Sequence, residues 1–86
     1  MNINELISII KKKLEYEILI EDIKIEDKSF LHKNHINNQK DKFHLKITIR
    51  SRELKEMNKI NSNKRIFRIL EKEMKNYIHS LQLLIS

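Results

Sequence analysis

The 86-residue sequence contains no cysteine, glycine, proline or tryptophan. Without cysteine the chain can form no disulfide, hold no zinc–thiolate cluster and offer no thiol nucleophile. A metal bound to it must be held by His, Asp or Glu, or shared with a partner that brings thiolates. Without glycine it lacks the phosphate-cradling loops of P-loop and dinucleotide-binding proteins. Its turns have to be built from Asn, Asp, Ser and Lys. Long apolar runs are also missing, and none approaches the roughly 18–20 residues that a membrane-crossing helix needs. The first residues show no basic head followed by an apolar core and a small-residue cleavage site, so the expected location is cytoplasmic, with no membrane partner.

Charge is plentiful. Lys and Arg number 18 against 12 Asp and Glu, for a net +6. Such a surface attracts nucleic acid, acidic proteins and anionic lipid alike. The length suits one domain with a modest core. A shallow surface site or a protein interface is therefore expected, rather than a deep, water-free active site.

Hydrophobic periodicity divides the chain into elements. Ile3, Leu6, Ile7, Ile10 and Leu14 fall at helical spacing, with Lys11, Lys12 and Lys13 opposite, which predicts a helix over 3–17 capped by Asn2 or Asn4. Ile18 and Ile20 alternate, then Ile23 and Ile25 alternate in the other phase, so a turn or bulge at Glu21 and Asp22 should precede a strand. Residues 28–42 are polar and without period, and read as a long, mobile loop. In 43–50, Phe43, Leu45, Ile47 and Ile49 alternate with His44, Lys46, Thr48 and Arg50, the pattern of a half-buried strand.

Leu54, Met57 and Ile60 suggest a short helical turn near 57–61. A longer helix over about 63–76 follows, capped by Ser62 or Asn63, with Ile66, Phe67, Leu70, Met74 and Tyr77 as its buried stripe. Residues 78–85 alternate at Leu81, Leu83 and Ile85 and form a nearly apolar run, as expected for a more central strand. No internal repeat is visible. Three strands with helices on one face make a two-layer α+β domain spanning 1–86.

This order of elements resembles that of the BolA family, whose fold is related to the KH domain. FHLKITI at 43–49 resembles the family's second strand, and FRILEKEMKNYIHSLQL at 67–83 resembles its last helix and strand, with Glu73, Met74, Ile78, His79, Leu81 and Leu83 in register. EDKSFLH at 26–32 is similar to the family's acidic-Ser stretch ending in a loop His. Two family stretches differ. The Arg-His-Arg before the last helix reads Ser62-Asn63-Lys64, and the Phe-x-Gly after the second strand reads Leu54-Lys55-Glu56. The resemblance implies a KH-like, BolA-type fold: helix, strand, strand, short helix, helix, strand, with a mixed three-stranded sheet.

The resemblance also gives the histidines a role. Alone, a His at a helix–strand junction such as His79 more often closes the joint through a backbone hydrogen bond. The matching His of BolA proteins supplies one ligand to a 2Fe–2S cluster shared with a monothiol glutaredoxin. His32 matches the family's loop position for a second ligand, and His35 could substitute; otherwise both are solvated loop residues. Such a cluster needs four ligands, usually thiolates. The resemblance assigns the missing sulfurs to glutaredoxin's active-site Cys and to glutathione. No cofactor is expected in the isolated chain, which would be a monomer or weak homodimer. Imidazole ligation should raise the cluster's potential and make it acid-labile. His44, on the polar face of its strand, reads as structural or surface, with metal binding a lesser option.

Arg50, Arg52, Lys55, Lys59, Lys64, Arg65 and Arg68, with Lys46, suggest a nucleic-acid face, since some BolA proteins resemble transcription regulators. Two observations weigh against it. KH domains clamp nucleic-acid backbone with a Gly-x-x-Gly loop, and no Gly exists here. Glu53, Glu56, Glu71 and Glu73 also interleave with the bases, as on an ordinary solvated surface. Glu21, Asp22, Glu26 and Asp27 bracket a strand without an accompanying nucleophile, so strand-end solvation is expected there rather than acid–base work. The function read from sequence is that of a non-enzymatic adaptor in iron–sulfur handling, with a DNA-binding regulator as the alternative.

Overall fold

The computed structural model describes residues 1–29 and 42–86. The loop expected at 28–42 falls mostly outside the described residues. Among the described residues seven elements follow in the order α1 (Ile3–Glu17), β1 (Asp22–Asp27), β2 (Phe43–Arg50), α2 (Arg52–Lys55), α3 (Lys59–Ile69), α4 (Glu71–Asn76) and β3 (Ile78–Ile85). The sheet order is β1-β2-β3, with β1 antiparallel and β3 parallel to β2. The chain is thus a two-layer α+β domain with a mixed sheet.

The α1 helix begins at Asn2, whose side chain accepts the Glu5 N–H at 2.8 Å. Its buried line is Leu6, Ile10 and Leu14, four residues apart and so on one helical face. These side chains meet Leu45, Ile47 and Ile49 of β2, with Ile18, Leu54, Ile66, Leu70 and Ile78 completing a wholly aliphatic core. On the other face of the sheet, Asp22 stands opposite Arg50 and Glu26 opposite Lys46, leaving that face polar.

Several expectations need correction. β3 is an edge strand and β2 the central one, since β2 pairs with a strand on each side and β3 only with β2. The short helix lies earlier than expected, at Arg52–Lys55, and Ser51 caps it. The long helix starts at Lys59 with Asn58 as its cap. Ser62 is therefore inside the helix, buried, donating its hydroxyl to the Lys59 carbonyl at 3.0 Å. The buried line of α3 runs Ser62, Ile66, Leu70. Phe67 lies one residue, about 100° of turn, off that line and is 38 % exposed. The helix also breaks at Leu70, whose φ of −98° and ψ of 16° separate α3 from α4. Beyond the break the buried Glu73 carboxylate meets the Lys13 ammonium at 2.7 Å, tying α4 to α1.

Ser51 joins three parts of the fold. Its hydroxyl accepts the Leu54 N–H at 3.2 Å and donates to the Leu19 carbonyl at 2.8 Å, while its own N–H donates to the Ser86 carbonyl at 3.0 Å. Ser51→Ala removes a helix cap and strips a partner from a backbone carbonyl. The expected loss is about 1–3 kcal/mol in urea denaturation followed by far-ultraviolet circular dichroism. A loss below about 0.5 kcal/mol would contradict this role.

Candidate functional site

The register between β2 and β3 shifts at one place. Phe43 pairs with Ile78, but His44 pairs with Ser80, so His79 is an extra residue on β3. This is a β-bulge, a device that re-aims a side chain and is common at sheet edges and next to sites. Ile78 points into the core, His79 and Ser80 are both exposed, and the alternation resumes at Leu81. At the preceding joint, the Tyr77 carbonyl accepts the Phe43 N–H at 2.8 Å, fixing the end of α4 to the start of β2.

The bulge brings His79 against His44. Their ring centroids are 4.8 Å apart at an interplanar angle of 62°, an edge-to-face arrangement. His44 is buried, contrary to a surface reading, because chain segments close over it from both sides. On one side its backbone N–H donates to Ser29 Oγ at 3.1 Å and its carbonyl accepts the Lys28 N–H at 2.7 Å. The Ser29 N–H is in turn held by the Asp27 carboxylate at 2.9 Å. On the other side, His44 Nδ1 and Ser80 Oγ share a hydrogen bond of 2.7 Å. A buried, hydrogen-bonded imidazole thus backs an exposed one.

The surroundings are basic. A shallow groove of about 290 Å³ is lined by Lys28, His44, Lys46, Ser80 and Gln82 among others. Within this environment desolvation pushes the Glu26 carboxyl up, but the ammonium groups of Lys24, Lys28 and Lys46 outweigh it and hold the carboxyl below its ordinary value. The site therefore presents imidazole and ammonium groups at one end of an edge strand. Among the described residues no three His, Asp or Glu side chains converge as a metal site. A metal centre at His79 would need ligands from elsewhere. His32 and His35 lie outside the described residues.

The candidate nucleic-acid residues divide. Arg50, Arg52, Lys55, Lys59, Lys64 and Arg68 are exposed. Arg65 instead serves the fold: its guanidinium pairs with Glu53 at 2.6 Å and donates to the Glu17 carbonyl at 2.8 Å, locking α3 to α2 and to the end of α1. The acidic set is spread along the β1 side. Glu21 accepts the Arg52 N–H at 3.3 Å, Asp27 holds Ser29 and Glu26 pairs with Lys28 at 3.4 Å, all structural uses. Sequence reasoning missed the His44–His79 pair, although the spacing of Ile78 and Leu81, both apolar and three residues apart in a strand, signals the phase change.

A family model described as "BolA-like protein" matches residues 14–86. Among solved structures, the chain is similar to BolA1 from Arabidopsis thaliana, with 24 % identity, 92 % of this chain and 87 % of that one covered, and a TM-score of 0.78. The BolA domain of SufE1 from the same plant matches with 24 % identity, the same coverages and a TM-score of 0.77. A bol-like protein from Babesia bovis matches at 15 % identity, covering 91 % of this chain and 79 % of that one, with a TM-score of 0.68. No curated protein matches. No helix among the described residues is long and apolar enough to cross a membrane.

Proposed function

The chain belongs to the BolA-like family, and from that premise we propose that it is a non-catalytic adaptor that binds a monothiol glutaredoxin and shares with it a glutathione-ligated 2Fe–2S cluster. The observation that carries this reading is the exposed imidazole of His79, re-aimed by a bulge at the end of an edge strand in a chain with no thiol. The residues present fit such a centre. His79 can reach a partner, and His44 fixes its ring from behind. Lys28 and Lys46 line the neighbouring groove and, with one Glu26 carboxylate among them, leave it a net positive setting for an anionic group such as a glutathione carboxylate. His32 or His35 would supply the second imidazole. When bound, the cluster supplies electron storage or cargo. The chain's own residues supply the ligand, its orientation and a basic setting.

The DNA-binding reading has less support. Arg65 is committed to Glu53 and Glu17, and the remaining bases stand among exposed acids.

Mixing the chain with a monothiol glutaredoxin, ferrous iron, sulfide and glutathione should give a one-to-one complex with visible absorption and circular dichroism distinct from those of glutaredoxin alone. Spectra identical to those of glutaredoxin alone, with no co-elution, would defeat the proposal.

A further inference from the structure

The two edges of the sheet are built differently. The β1 edge carries Asp22, Lys24, Glu26 and Asp27, and such charges discourage another strand from pairing there. The β3 edge reads IHSLQLLI, eight residues without Asp, Glu, Lys, Arg or Pro. Its free side can be identified from the ladder. Ser86 turns both polar backbone groups toward β2, donating to the Ile49 carbonyl at 2.9 Å and accepting the Ser51 N–H at 3.0 Å. In a parallel pair every second residue faces its neighbour in this way. Gln82 and Leu84 therefore also face β2, and Leu81, Leu83 and Ile85 turn their N–H and C=O groups outward. No backbone hydrogen bond from those three to another described element closes that side.

A groove of about 310 Å³ lies beside the same stretch. Leu54, Met57, Leu83 and Ile85 give it an apolar floor, and Lys55 and Lys59 stand on its rim with no acidic residue in the lining. A strand added to β3 would lie about 4.8 Å away and send alternate side chains toward the helix layer, where this groove is. A row of backbone groups that no described residue pairs with, an apolar groove on the side where alternate side chains would point and a cationic rim are features that recognition by strand addition can use.

We propose that residues 81–85 of β3 take up an extended segment of a partner protein by strand addition, the segment carrying apolar residues for the groove and flanking carboxylates for Lys55 and Lys59. A second copy of this chain fits less well. Each copy carries +6, its β3 has no carboxylate, and two lysine rims would face each other. This inference is independent of His79, which lies at the opposite end of the strand.

The test uses the full chain and a fluorescein-labelled peptide in which three valines alternate with threonines between flanking pairs of carboxylates. Binding is read by anisotropy and by amide shifts in nitrogen-15 spectra. The shifts should centre on residues 81–85 and on Lys55, Met57 and Lys59. Peptides with alternate amides N-methylated, made in both phases, should differ: one phase keeps affinity and the other loses at least about tenfold. Lys55→Glu with Lys59→Glu, both at exposed positions, should keep the native circular dichroism and weaken binding at least about tenfold. The proposal is overturned if the peptide does not bind or shifts β1 instead, or if both methylated phases or a lysine-flanked peptide bind equally well. It is also overturned if the free chain doubles in mass with concentration while its β3 amides become protected, because a second copy would then hold the edge.

Discussion

In the proposed complex with a monothiol glutaredoxin, His79→Ala should remove the visible circular dichroism of the proposed shared cluster while leaving the free chain folded. The side chain is exposed and its ring contact is with His44, so the stability change should stay within about 1.5 kcal/mol. The effect on the cluster should be large. Removing groups that merely orient a metal ligand costs about 10–100-fold in affinity, and removing a ligand should cost at least as much. His79→Cys separates ligation from shape. A thiolate can replace the imidazole and keep the cluster, with a potential lower by on the order of 100 mV or more, since imidazole ligation raises such potentials. Retention of the wild-type spectrum and potential in His79→Ala would exclude His79 as a ligand, even if the two proteins still associate.

The second large effect concerns the fold. Ile47 is fully buried at the middle of β2, between Ile25 of β1 and Leu83 of β3 and beneath the helices. Ile47→Ala leaves a cavity bounded by three strands that cannot collapse independently, and the expected loss is about 2–5 kcal/mol. A domain of this length is expected to have only about 4–13 kcal/mol in total. The variant should therefore lose a large share of its stability, visible as a lower urea midpoint with little change in slope. Leu84→Ala on the outer face, where the side chain is 43 % exposed, should change stability by less than about 1 kcal/mol. Equal losses at the two positions would contradict the assignment of core and outer faces.

Much of this architecture can be read locally. The α1 helix and β2 each follow one unbroken period, so their bounds and buried faces agree with the expected 3–17 and 43–50. Difficulties arise where two local signals compete. Asn58, Ser62 and Asn63 are all good caps, and only the full helix shows that Asn58 holds the position, which moves the buried line away from Phe67. The break at Leu70 has no Pro or Gly to mark it. The edge position of β3 is set by the strand order, a tertiary fact that its apolar run conceals. The candidate site divides in the same way. His79 stands out at a helix–strand joint, whereas the burial of His44 depends on Ser29 and Ser80, which are 15 and 36 residues away in sequence.

The joint that holds Tyr77 has an optical consequence. The chain has no tryptophan, and of its two tyrosines Tyr16 is 91 % exposed while Tyr77 is half-buried, two residues before His79. Tyr77 is the tyrosine whose surroundings a partner docked at His79 would change. Tyrosine emission is therefore a built-in signal beside that end of the sheet, and its quenching would report a coloured partner docked there without an attached dye.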